Sequence, residues 1–166
     1  MKKAQAAMEF LMTYGWAIII VLAAIGALAY FGVLSPQKLL PDRTIFPAPV
    51  PNVDNAVIAL NGANTQVQIA FRNNKGVSII IPTTSNFNST QCTSGSMTSI
   101  IDSITKQAMN NTPLSNGAGF LVNWTCTAVA GAKTGDKFSA TVTFDYQNVD
   151  TGQTLKHTGT IDGKFS

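Results

Sequence analysis

A small set of residues in this chain has the types and spacing to do chemistry. Glu9 is the one charged residue in Gln5–Leu34, QAAMEFLMTYGWAIIIVLAAIGALAYFGVL. A carboxylate at the entrance of an apolar run is costly to bury alone, so it either stays solvated at a lipid headgroup or waits for a cationic partner. Cys92 and Cys126 can pair as a disulfide or persist as buried thiols, and Asn88-Ser89-Thr90, Asn110-Asn111-Thr112 and Asn123-Trp124-Thr125 have the form of N-glycosylation acceptors. Three acceptors are about what chance gives in so Asn-, Ser- and Thr-rich a chain. Asn88 falls in a loop-like stretch, Asn123 lies on the strand face away from Trp124, and Asn110 is less clearly placed.

Catalysis has little to work with. The chain has a single histidine, His157, and no G-x-S-x-G, H-E-x-x-H, C-x-x-C or phosphate-cradling glycine loop. A lone strand histidine beside Leu155 and Gly159 reads as structural. Two isolated cysteines without a neighbouring histidine make no metal site, so no catalytic, cofactor or metal-binding residue is predicted.

The element that positions Glu9 is the apolar run itself. Phe10–Leu34 is 25 residues, which as a helix rises about 38 Å and exceeds a hydrocarbon core of about 30 Å. A secretory signal would have a shorter apolar run with its small-residue cleavage site after it. Here the small residue, Ala4, precedes the run. Cleavage between Ala4 and Gln5 would keep the whole helix and make Glu9 the fifth residue of the mature chain. Its new α-amine would lie one helical turn from Glu9, within the chain or on a neighbour. Were Gln5 to cyclise, Glu9 would instead be protonated or accept a hydrogen bond, for example from Thr13. Lys2 and Lys3 flank the helix closely while Lys38, Asp42 and Arg43 lie farther off on the other side, which predicts a cytoplasmic start and an exported remainder.

Lys3-Ala4-Gln5-Ala6-Ala7-Met8-Glu9-Phe10 and the continuation Leu11-Met12-Thr13-Tyr14-Gly15-Trp16-Ala17-Ile18 resemble the class III signal segment of archaeal type IV pilin-like proteins. Ala4 stands where a glycine is common. The likeness covers about the first 35 residues. It implies a prepilin peptidase cutting between Ala4 and Gln5, an assembly ATPase and membrane platform, and a stay in the cytoplasmic membrane before assembly. It further implies a helical filament of copies of the chain at the cell surface, with Gln5, Glu9 and Thr13 in its core.

The net charge of +3 falls to +1 on loss of Lys2 and Lys3, so no basic surface argues for nucleic acid. In an exported, oxidising setting a Cys92–Cys126 disulfide is expected, closing a loop that the chain-entropy model values at roughly 4 kcal/mol.

Beyond the helix, Pro36, Pro41, Pro47, Pro49 and Pro51 predict a stiff connector rather than a disordered linker. Ala56–Leu60 and Val67–Phe71 about Asn61-Gly62-Ala63-Asn64 read as a β-hairpin, with Val67, Ile69 and Phe71 on one face. Val77–Ile81 is a further apolar run, and Phe87–Gly95 reads as loop. Met97–Gln107 has helical spacing but β-branched content and stays open between helix and strand. Phe120, Val122, Trp124 and Cys126 alternate as a strand, as do Phe138, Ala140, Val142, Phe144 and Tyr146, followed by a turn at Asp150-Thr151-Gly152 and a return strand 153–161.

The predicted organisation is a cleavable leader 1–4, a hydrophobic helix 5–34, a proline-rich neck 35–52 and a β-rich head 53–166. The fold class is α+β, with a sandwich-like, mostly antiparallel head. The expected function is a non-enzymatic filament subunit serving adhesion. A monomeric surface binding protein on an uncleaved anchor is the alternative.

Overall fold

The computed structural model describes residues 2–30, 41–128 and 130–166, which fall into two compact units, residues 1–40 and 41–166. The first unit is one helix, α1, Lys2–Tyr30. Its alanine, leucine, methionine and isoleucine content favours helix, and Gly15 and Gly26 weaken it by only about 1 kcal/mol each. Phe10 and Tyr14, one turn apart, place their rings 4.7 Å apart. Met12–Tyr30, 19 residues, is long and apolar enough to cross a membrane. Large apolar side chains stand exposed around it, Met12 at 82% and Ile19 at 68%. Residues 31–34 of the predicted helix, and 35–40 of the predicted neck, lie outside the described residues.

The second unit is a nine-stranded sheet: β1 Arg43–Ile45, β2 Val57–Asn61, β3 Asn64–Arg72, β4 Ile79–Ile80, β5 Ser85–Ser89, β6 Cys92–Asp102, β7 Gly119–Ala128, β8 Lys137–Asn148 and β9 Thr154–Lys164. The order is β1-β9-β8-β5-β6-β7-β3-β2 with β4 beside β8, and the named pairings are antiparallel. The chain is thus α+β with a β-rich, mostly antiparallel head.

This sheet is folded over on itself. β8 and β3 stand four strand steps apart, about 19 Å in a flat sheet, yet the rings of Phe144 and Phe71 meet at 5.3 Å. Phe46 completes the contact, 4.8 Å from Phe71. Trp124, Phe120 and Phe138 fill the same interior and are fully buried. Each such side chain contributes about 1.5–3 kcal/mol on burial.

The last strand in the order, β2, is bonded by the residue that follows β9. Past β9, Ser166 donates its backbone N–H to Ile58 O (2.8 Å) and accepts from Leu60 N–H (3.2 Å), so it pairs with β2. The free side of β1 is closed by side-chain amides. Asn52 donates to Thr44 O (2.9 Å) and accepts from Phe46 N–H (2.9 Å), while Asn55 accepts from Thr44 N–H (3.1 Å). These bonds occupy backbone groups that would otherwise offer an open sheet edge.

The proline-rich stretch predicted as a neck therefore belongs to the head from Pro41 onward. The prolines predict a stiff connector over 35–52, but Thr44, Phe46 and Val50 between them are buried, and β1 pairs with β9. The β2–β3 hairpin forms as predicted, with Asn61 opposite Asn64 and a φ of 63° at Gly62, which a residue with a Cβ adopts only at a cost. β7 and β8 also appear where alternation placed them, and β9 where the turn at Asp150-Thr151-Gly152 predicts a return strand.

Phe87–Gly95, predicted as loop, is the end of β5 and the start of β6. Its serines and asparagines hide the strands because only Phe87 and Cys92 turn apolar side chains inward. Met97–Gln107 resolves as strand up to Asp102 followed by a turn. The register shift at Met97/Ser99 accounts for the spacing of Met97 and Ile100, since a bulge adds a residue and lets the two, three apart, both face inward.

Gly159 on β9 gives a test of the fold. Its backbone is open to any residue, but a Cβ there would collide with the Phe46 ring. Gly159→Ala is expected to lower head stability by about 1–3 kcal/mol in denaturant titrations. Combining it with Phe46→Leu should cost less than the two separate changes added together.

Candidate functional site

At the start of α1, Glu9 and Thr13 lie one turn apart and both are exposed. The Thr13 hydroxyl donates to the main-chain carbonyl of Glu9 at 2.8 Å. This is the back-bonding that helical threonines commonly make. Thr13 thus serves the helix backbone, whereas the sequence suggested it for the Glu9 carboxylate. Ala4 and Gln5 lie within the helical backbone of α1.

Cys92 and Cys126 form a disulfide, with Cα atoms 5.6 Å apart. It ties the beginning of β6 to the end of β7, and both cysteines are buried. Together with the apolar helix, it fits a chain that is exported or anchored with its head in an oxidising compartment.

The three acceptor asparagines occupy different settings. Asn88 is exposed on β5, and Asn110 is exposed in a turn. Asn123 is half-buried on β7 and its amide is engaged on both sides: Oδ1 accepts from Gln68 Nε2 (2.8 Å) and Nδ2 donates to Ser99 Oγ (2.9 Å).

His157 is buried at 4% exposure. Its ring sits among Phe46, Phe144 and Tyr146, with centroids 5.8, 5.2 and 6.3 Å away. Nε2 lies 3.0 Å from the Val50 carbonyl, which can only accept, so the proton is on Nε2. Burial lowers its pKa from the ordinary 6.5, opposed by the Val50 hydrogen bond. A ring so enclosed offers no face to a substrate. Asp102, half-buried, has its carboxyl pKa lowered by backbone N–H groups of Thr105 and Ile104, and it holds the turn after β6 in place. Among the described residues no group of three or more His, Cys, Asp or Glu could hold a metal ion.

Sequence reasoning gave no weight to the outward side of β3, β7 and β6. There the Gln68–Asn123–Ser99 bonds cross three strands, and Thr98 Oγ1 donates to the Asn123 carbonyl (3.1 Å). A shallow hollow of ≈ 320 Å³ lies over this network, lined by residues that include Val57, Gln66, Gln68, Ser99, Asn123 and Thr125. A second hollow of ≈ 240 Å³ shares Gln66 and Thr125 with it. No charged side chain lines either one. The polar half of each strand's alternation was a signal for this face, but the alternation does not say which strands are neighbours.

No protein-family model and no curated protein matches the chain. Among solved structures it is similar to the crystal structure of the GAE domain of GGA2p from Saccharomyces cerevisiae, at 13% identity and a TM-score of 0.41, over 73% of this chain and 94% of that one. A likeness at that level carries no functional argument.

His157 generates a prediction with a definite sign. A depressed histidine pKa means that the unfolded chain binds the proton first as pH falls. Head stability is therefore complete above pH 6.5 and declines below it, towards the lower pKa of the folded state. The Asp102 effect lies below 3.8 and does not overlap. Urea midpoints measured between pH 7.5 and pH 5 should fall in the parent and stay nearly level in His157→Gln.

Proposed function

We propose that the chain is a structural subunit of a type IV pilus-like surface filament, with α1 in the core and a sandwich-like β head outside, serving adhesion. One observation carries this reading: α1 is apolar on every side, and its large side chains stand exposed along its length. Such a helix is stable in lipid. On leaving the bilayer it must exchange lipid for an equivalent surface, and the helices of other copies supply one.

The head, in contrast, is closed. Its own core lies within residues 41–166, β2 is bonded to Ser166 past β9, and the free side of β1 is bonded by Asn52. The disulfide supports export, and the resemblance of residues 3–18 to class III signal segments supports processing ahead of Gln5. In a filament core poor in water, Glu9 needs a cation, and the α-amine that cleavage creates at Gln5 can meet it within one chain or between neighbours.

Mass spectrometry of material sheared from the cell surface is expected to find Gln5, or its cyclised form, at the N-terminus. Met1 there would favour a singly anchored surface protein instead. Glu9→Gln should leave membrane insertion and cleavage intact while filament yield collapses. Stranding one partner of a buried ion pair costs about 3–5 kcal/mol. Filaments at parental yield would overturn the role given to Glu9.

A further inference from the structure

The two hollows on the outward side of β3, β7 and β6 adjoin at Gln66 and Thr125, which line both, and side by side they make a trough across the strands. Its lining is mostly amide and hydroxyl, with Val57, Ala59 and Cys126 as the apolar members and no charge. The amides do not point at random. Asn123 is fixed by Gln68 on one side and Ser99 on the other, which sets which atoms face outward as donors and which as acceptors. Each of these groups keeps unused capacity: the second Nδ2 proton of Asn123, the Oε1 of Gln68 and the hydroxyl proton of Ser99.

We propose that this trough is a binding site for an uncharged glycan chain. Sugar hydroxyls both donate and accept, as this lining does, and a neutral polymer leaves no charge unpaired against it. An acidic polymer or a nucleic acid would find no cation in the trough, and a basic peptide no anion. The larger hollow alone reaches the lower end of ligand-site volumes, about 300–1,000 Å³. The exposed Val57 side chain offers an apolar contact for the C–H face of one sugar ring. Because the trough lies wholly within the head, this inference does not rest on the filament reading and can fail separately from it.

The test follows the side-chain amide NMR signals of Gln66, Gln68 and Asn123 in the full-length chain, held in phosphocholine detergent micelles because glycoside detergents would compete. Maltohexaose and chitohexaose are the neutral probes, and hexagalacturonate is the acidic control. At least one neutral probe should give saturable shifts confined to the trough, and the acidic hexamer none. Gln68→Ala and Thr98→Lys should each weaken binding at least about tenfold, the loss of one net hydrogen bond or its equivalent. The proposal is overturned if neither neutral probe shifts these signals up to about ten millimolar, which would saturate a millimolar site. It is equally overturned if the acidic hexamer binds as well, or if Thr98→Lys has no effect. Signals that move with protein concentration alone would assign the trough to contacts between copies of the chain, and would also overturn it.

Discussion

The meeting of Phe71, Phe144 and Phe46 sets the shape of the head. Phe71 and Phe144 belong to strands far apart in the sheet order, and their rings touch only because the sheet bends back on itself. Phe46 arrives from the proline-rich segment and packs on both of them and on His157. Once these rings are in place, β1 must lie beside β9 and Val50 must approach His157. Gly159 must then lack a side chain, because the Phe46 ring occupies the space a Cβ would take. An interior fixed by so many mutual contacts tolerates little change in volume at any one position.

The two units of the chain stand in opposite conditions. The head meets its own needs: apolar side chains inside, edge groups bonded by Asn52, Asn55 and Ser166, and cysteines joined. The helix meets its backbone needs and leaves its apolar surface uncovered. In water that surface would drive association by the hydrophobic effect, which is proportional to the area left open. Near its start the Thr13 hydroxyl is turned to its own backbone. Among the described side chains of α1, the carboxylate of Glu9 is the one with charge to offer a partner.

Much of this arrangement was legible in the residues. Strict alternation announced β3, β7 and β8, because each buries one face against the core and period two survives intact, and the turn at Asp150-Thr151-Gly152 announced β9 as its return. Alternation failed where the backbone departs from it: the register shift at Met97/Ser99 in β6 gave a strand the spacing of a helix. It also failed at β5, whose residues are polar except for Phe87. The prolines misled for another reason. They stiffen the backbone wherever they stand, and nothing local says whether Phe46 and Val50 between them reach a core contributed by residues a hundred positions later. The outward trough was half legible, its polar residues visible in each strand but its neighbours fixed only by the pairing of β3, β7 and β6. The disulfide was foreseen from compartment and from the inward face shared by Cys126 and Trp124.

The continuity of the sheet hangs on a narrow junction. β5 and β6 are joined through a single pair, Phe87 opposite Gly95, with the Phe87 ring filling the space where a Gly95 side chain would stand. On either side of it the ladders are long, eleven residue pairs between β8 and β9 and nine between β3 and β7. The disulfide lies wholly on one side, within the β6–β7 pair. Seen as an exchange of amide protons with solvent, the head is two protected blocks separated by a thin line. Across that line the blocks are held mainly by the rings of Phe144 and Phe46 against Phe71 and by the Ser166 bonds to β2. The β6–β7 block has a covalent closure besides its ladder, while its neighbour has its ladder and the shared core, so only the first stays joined when packing is lost.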